Sequence, residues 1–135
     1  MKGVNSLEDS LEKFSINALT NKKNINVAAI DIGTNSTHLL IASVDPGLHT
    51  FSSQLVEKSA TRLGERDTDT GELTDVAMKR VFDILQRFKD LASSYKVDEL
   101  VIVATSAVRE APNGSEFLAN IKEKLNLDID LISGA

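Results

Sequence analysis

Two short clusters carry side chains whose types and spacing could do chemistry. The first, Asp31-Ile32-Gly33-Thr34-Asn35-Ser36, sets a carboxylate ahead of a glycine turn and follows it with hydroxyl and amide side chains. Glycine lets the backbone come close to an anion, successive amide N–H groups make a concave set of donors, and the hydroxyls of Thr34 and Ser36 add more. Asp31 is the candidate ligand for a divalent cation, because a carboxylate oxygen is a hard donor of the kind magnesium takes. An ordinary tight hairpin, with Asp and Asn serving turn geometry, is the competing reading of the same six residues. The second cluster, Ala104-Thr105-Ser106-Ala107-Val108-Arg109-Glu110-Ala111, brings two hydroxyls and an arginine after an apolar run. A guanidinium presents a planar fork of donors that matches phosphate oxygens, although a surface ion pair between Arg109 and Glu110 is the alternative.

The elements that must position these clusters follow from periodicity. Residues 27–32 form a short apolar run ended by Gly33, which suits a buried strand. Residues 36–44 make a second strand, joined to the first as a hairpin and broken by Asp45, Pro46 and Gly47. Residues 50–58 alternate loosely as a third strand, and residues 60–72, with glycine and charge but no period, read as a loop. Ala77, Val81, Ile84, Leu85, Phe88, Leu91 and Ala92 then recur at a helical period. Thr74 is placed to cap that helix, with Leu73 and Met78 as its hydrophobic staple. Residues 100–104 predict another apolar strand. A second helix follows Pro112, with Asn113 as cap, Glu116 in the first turn, and Phe117, Ile121 and Leu125 on the buried face. Residues 128–132 predict a last short strand. The order β-β-β-α-β-α-β implies a mixed sheet, since parallel neighbours need crossover connections. Both clusters then fall at carboxyl ends of strands, where open sheets of this kind collect ligands.

Residues 1–26 differ, being rich in Asn, Ser and Lys. They read as a tail and linker that the sheet does not need. Leu7, Leu11, Phe14 and Ala18 stand at helical spacing and Ser6 with Asp9 resembles a capping box, so a short helix and a frayed terminus both stay open.

Composition narrows the chemistry further. A chain of 135 residues with 41% hydrophobic and 26% charged residues has the balance of one globular domain. The absence of cysteine removes disulfides, thiolate zinc sites and cysteine nucleophiles, so a metal would be held by oxygen or imidazole. A net charge of −5, mixed by sign along the chain, argues against a nucleic-acid partner and requires a local basic pocket for any anionic substrate. No stretch nears the ~20 apolar residues of a membrane span, and Glu8, Asp9 and Glu12 spoil a secretory signal, which makes the cytoplasm the expected compartment.

Taken in order, the first cluster extended through Thr37-His38-Leu39, then Arg62-Leu63-Gly64-Glu65, the second cluster, and Leu131-Ile132-Ser133-Gly134 resemble the exopolyphosphatase and guanosine pentaphosphate phosphatase (Ppx/GppA) family from Val27 to Ala135. The resemblance implies a ribonuclease H-like core of the actin-like ATPase superfamily. It also implies that Gly33, Thr34, Asn35 and Ser36 form a phosphate-binding loop, with Asp31 beside a magnesium or other divalent ion. Thr105, Ser106 and Arg109 would line the polyphosphate groove, and Arg62 would reach it from the loop. Position 34 is more often serine in the family, and Thr34 keeps the hydroxyl while adding a methyl group.

The activity implied is hydrolysis of a terminal phosphoanhydride, on inorganic polyphosphate or on guanosine pentaphosphate, with guanosine tetraphosphate a further ligand. The family's catalytic glutamate would follow Ala135, so the chain reads as an incomplete N-terminal subdomain, inactive alone, of a parent expected to be a homodimer. Uncovered surface would promote self-association. A sugar or acetate kinase-like ATPase subdomain and a non-catalytic module binding alarmone or polyphosphate are the alternative readings.

Overall fold

A computed structural model describes residues 24–133. The question of a helix around Leu7, Leu11 and Phe14, and the Gly134 end of the last motif, lie outside the described residues. Strand β1 (Ile25–Ile32) sits at the centre of a mixed sheet ordered β3-β2-β1-β4-β5. Strands β2 (Thr37–Asp45) and β3 (Thr50–Ser59) extend it on one side as an antiparallel meander. Strands β4 (Glu99–Ala104) and β5 (Asp130–Leu131) add in parallel on the other. β1 begins two residues earlier than the apolar run suggests, because Ile25 and Asn26 pair with Val44 and Ser43. The central strand is apolar at nearly every position, as expected where both faces are covered. β3 is the outer strand, largely exposed, with Gln54 left between partners at an irregularity opposite Ile41 and Ala42. Bulges of this kind are common on sheet edges.

The long crossover from β3 to β4 is helix α1 (Asp75–Ser94). Its start is set as predicted, with the Thr74 hydroxyl accepting from the Ala77 N–H at 3.1 Å, a cap worth about 1 kcal/mol. Ala77, Val81, Leu85, Phe88 and Ala92 form the buried stripe, and Phe88, fully enclosed, contributes on the order of 2–3 kcal/mol. Leu73 and Met78 join the same core at the helix entrance. This core lies on one side of the sheet, against Ile30, Ile32, Leu39, Ile41 and Ile102. Among the described residues no helix is long and apolar enough to cross a membrane.

The region after β4 departs from expectation. A four-residue helix, α2 (Ser106–Arg109), follows the strand before helix α3 (Gly114–Leu125), so the order is β-β-β-α-β-α-α-β. Asn113 occupies the N-cap position of α3 but makes no side-chain cap. Its amide instead accepts from the Leu73 N–H at 2.9 Å and donates to the Leu73 carbonyl at 3.1 Å. The Leu73 backbone is part-buried there and has both polar groups to satisfy, which an amide does with separate donor and acceptor atoms and an acceptor-only carboxylate cannot. α3 ends at Asn126 in the left-handed region (φ 56°), the usual helix stop when glycine is absent.

Candidate functional site

The parallel pairing of β1 and β4 sets Ile32 opposite Ala104, so both clusters emerge side by side at strand carboxyl ends. The Thr105 N–H donates to the Ile32 carbonyl at 3.4 Å, and the Ile132 N–H to the Ala104 carbonyl at 3.0 Å, which brings the end of β5 alongside.

The 33–36 turn closes by a hydrogen bond from the Gly33 N–H to the Ser36 carbonyl at 3.0 Å. A Cβ at Gly33 would sit 3.1 Å from that oxygen, so the turn has little room for a side chain. Thr34 and Asn35 are exposed at its tip. Their carbonyls face inward and accept from the N–H groups of Gly64, at 2.9 Å, and Arg62, at 3.0 Å. Among the described residues their own amide N–H groups meet no backbone acceptor, which leaves donors for an anion at the tip.

The Arg62-Leu63-Gly64-Glu65 motif is therefore the brace of the first cluster. Leu63 is buried in the main core, and Arg62 adopts a left-handed φ of 49°, which costs roughly 1–2 kcal/mol outside glycine and is held by the surrounding bonds. A Cβ on Gly64 would lie 2.4 Å from Thr34 Cγ2, so the close approach of the two loops needs glycine. Arg62 reaches the turn through its backbone. Its side chain, more than half exposed, pairs with Glu65 at 3.4 Å, a contact worth little. The loop's base is pinned by a buried hydrogen bond of 2.8 Å between the Thr37 and Thr61 hydroxyls. Arg80 of α1 adds a bond from Nε to the Thr61 carbonyl at 2.9 Å and an ion pair with Glu65. None of Thr37, Thr61 or Arg80 was singled out by residue type, because a threonine in a strand and an arginine on a helix face have too many ordinary uses. Pairing of two threonines across 24 positions becomes visible only once β2 and the loop are in place.

Asp31, next to last in β1, pairs in register with His38 and Val103, and its Oδ1 is closed off from solvent. Among the described residues no group of three or more His, Asp or Glu could hold a metal. A cation at Asp31 would thus take phosphate oxygens and water for its other ligands, which is how magnesium is usually bound, so the donor set fits.

In the second cluster Thr105 and Ser106 are half-buried where α2 begins, and Arg109 is exposed at its end. The Arg109 guanidinium donates to the Ile132 carbonyl and lies 3.8 Å from Glu110, rather than contacting the 33–36 turn. It is about one third exposed and sits on the end of β5, within the same row of strand ends. Arg66 ties the brace to this side, donating from Nη2 to the Ala107 carbonyl at 3.1 Å and from Nη1 to the Gly71 carbonyl at 3.4 Å. At the loop's outer turn, backbone N–H groups of Thr70 first and Asp69 second hold the exposed Asp67 carboxyl below its usual range.

A mixed sheet with the β-meander first, helices stacked on one face and two loops meeting at the parallel strand ends defines an actin-like ATPase fold, of which this is one part. Residues 40–135 match the model of the Ppx/GppA phosphatase family, and the chain belongs to that family. It is 34% identical, over 79% of its length, to a guanosine-5'-triphosphate,3'-diphosphate pyrophosphatase of Aeromonas hydrophila. It is 27% identical over 80% of its length to exopolyphosphatase 1 of Mycobacterium tuberculosis. Its structure superposes on the Ppx/GppA family member of Aquifex aeolicus with a TM-score of 0.76 at 34% identity, covering 82% of this chain and 35% of that one. The chain spans 21% and 31% of the lengths of those two relatives, so it corresponds to less than a third of either.

Proposed function

We propose that this chain supplies one phosphate-holding wall of a phosphohydrolase that removes the terminal phosphate of inorganic polyphosphate or guanosine pentaphosphate, and that alone it binds without turnover. The observation that carries the reading is the 3.4 Å bond from the Thr105 N–H to the Ile32 carbonyl, which sets the start of the Thr105–Ser106 segment beside the start of the 33–36 turn. The tip amides of Thr34 and Asn35, with the hydroxyls of Thr34 and Ser36, would hold non-bridging oxygens of one phosphate. Arg109 would leave the Ile132 carbonyl for a phosphate of higher charge, since a charge-assisted bond is stronger than one to a neutral carbonyl. Asp31 would hold a magnesium ion, which when bound neutralises phosphoryl charge.

In the reaction, water attacks the terminal phosphorus and the bridging P–O bond breaks, its electron pair leaving with the shortened chain or nucleotide. The wall formed here would orient the phosphate and offset charge as it shifts to the leaving oxygen. Water activation needs a separate base. Glu110 is more than half exposed and paired with Arg109, which suits a surface partner better than a base. The substrate class is supported by the names of the two relatives, one an exopolyphosphatase and one a pyrophosphatase of a guanosine derivative.

Calorimetric titration of the chain with polyphosphate and magnesium, beside a phosphate-release assay, tests the reading. Saturable binding should weaken about tenfold in Arg109→Ala and recover in part in Arg109→Lys, with no phosphate released. Binding indifferent to Arg109→Ala, or release that survives gel filtration, would overturn it.

A further inference from the structure

The register of the sheet sets further charge beside Asp31 that neither cluster contains. Asp31 lies opposite His38 and His38 lies opposite Lys58, so the three residues form one row across β1, β2 and β3 and share a face. That face is turned away from α1. Ile30 and Ile32, the neighbours of Asp31 in β1, belong to the main core, whereas Val27 and Leu40 belong to the cluster on the other side. Glu57 obeys the same alternation, since it pairs with Arg87 of α1 and leaves Lys58 to the opposite face. The row lies at the end of the sheet where the 33–36 turn presents its tip amides.

Lys58 also stands apart in its bonding. Other cations are engaged, Lys79 with Asp83, Arg87 with Glu57 and Lys122 with Asp128, and Arg66 and Arg109 on backbone carbonyls. Among the described residues the exposed Lys58 makes no hydrogen bond or ion pair. A lysine on an edge strand has another ordinary use, discouraging a second sheet from pairing there. Here the irregularity at Gln54 already interrupts that edge, and Lys58 falls in register with Asp31.

Neighbouring strands lie about 4.8 Å apart, which sets Lys58 roughly 10 Å from Asp31 along the row. Side chains stand roughly perpendicular to a sheet, so a cation on Asp31 and the Lys58 ammonium keep about that separation. One phosphate cannot touch both; a run of linked phosphates can. Resting on the phosphate-wall reading above, we propose that Lys58 is a second anion contact. It holds phosphates further along the chain than the one at the 33–36 turn, and so makes this wall favour extended inorganic polyphosphate over a short phosphate. The polyanion would lie across β1, β2 and β3, with Arg109 on the other side of the turn.

Calorimetric titration of the 135-residue chain in magnesium, with long-chain polyphosphate and with pyrophosphate, tests the two contacts separately. Lys58→Gln should weaken long-chain binding about fivefold, reduce the slope of log affinity against log salt by about one, and leave pyrophosphate unchanged. Lys58→Arg keeps the charge and should bind as the wild type does. Lys124→Gln removes an exposed cation from α3 and should change neither titration. A loss of the same size in Lys124→Gln, or for pyrophosphate, overturns the proposal as a general effect of net charge. Long-chain binding that falls in Arg109→Ala but ignores Lys58→Gln overturns it while the proposed function stands; binding that ignores both changes removes the two together. Self-association of Lys58→Gln on gel filtration, at unchanged polyphosphate affinity, would assign the lysine to guarding the edge and also overturn the proposal.

Discussion

The turn after β1 and the segment after β4 stand side by side on two paired parallel strands, yet they are held by different kinds of structure. The first is held from a distance. Its tip carbonyls are bonded by a loop nearly thirty positions later, that loop is anchored by Thr37 and Thr61, and Arg80 of α1 closes the outside. The second is held mostly by local structure, the single turn of α2 and the close contact of Gly114 with the Val108 carbonyl at the α2–α3 junction, with one distant tie from Arg66 to the Ala107 carbonyl. A long-range brace fixes the backbone while leaving the tip amides unused; a local helical turn fixes its own backbone and leaves Arg109 as the adjustable member. The first region is built to present fixed donors, and the second to carry a side chain that changes partner.

Glycine substitutions break the comparison most sharply, because each region has one glycine whose added Cβ would meet a neighbour inside van der Waals contact. A Cβ at Gly114 would meet the Val108 carbonyl oxygen at 2.0 Å, and that atom is backbone, with no rotamer to move it aside. Gly114→Ala should therefore cost about 3 kcal/mol or more, read as a lowered urea midpoint, and should disturb α2 and α3 together. Wild-type stability in that variant would show that the junction is looser than the packing implies. At Gly64 the obstacle at 2.4 Å is the Thr34 methyl, with the Thr34 carbonyl at 3.3 Å. Gly64→Ala should cost less, about 1–2 kcal/mol, and weaken polyphosphate binding because the tip it displaces carries the donors. Thr34→Ser removes that methyl. In the Thr34→Ser background Gly64→Ala should lose most of its effect, a coupling of about 1 kcal/mol in a double-mutant cycle. Additive effects of the two changes would mean that the brace and the turn do not touch as described.

The same contrast explains what could be read from the chain alone. The strands, α1 with its Thr74 cap, and the placing of both clusters at strand ends followed from apolar periodicity and turn residues, which are local signals. Ile25 and Asn26 were missed because a strand's first residues are defined by their partners, here Val44 and Ser43. α2 was missed because four residues give no period to detect. Asn113 carried a true signal of a helix start, but its amide was spent on Leu73, forty positions away, where a buried backbone needed it more. Gly64 stood in a recognised motif, yet its reason, the Thr34 methyl, belongs to a contact between loops that only the folded meander creates.

The smallest expected effect lies at the outer end of the brace, where local bonding takes over again. Asp67 accepts from the Asp69 N–H at 2.8 Å and the Thr70 N–H at 2.9 Å, and its own N–H donates to the Glu72 carbonyl at 2.8 Å. The Thr70 and Asp69 amides hold the carboxyl below its ordinary range because they favour the charged form. A carboxyl depressed in the folded state stabilises its surroundings at every pH above the unfolded value of about 3.9, and that contribution is lost as pH falls through the lower folded value. The Asp69 and Thr70 amide resonances should accordingly stay constant from neutral pH down to about 4 and titrate together below it. Because Asp67 is fully exposed and its partners are its own neighbours, Asp67→Ala should abolish that titration and lower the urea midpoint only slightly, leaving the contact between Gly64 and Thr34 unchanged. Titration at or above the ordinary carboxyl value would mean that the outer turn is not formed in solution. A shift of the Thr34 and Asn35 resonances in Asp67→Ala would mean that the brace works as one rigid piece from Asp67 to Arg62, and that the division between distant and local support falls elsewhere in the loop.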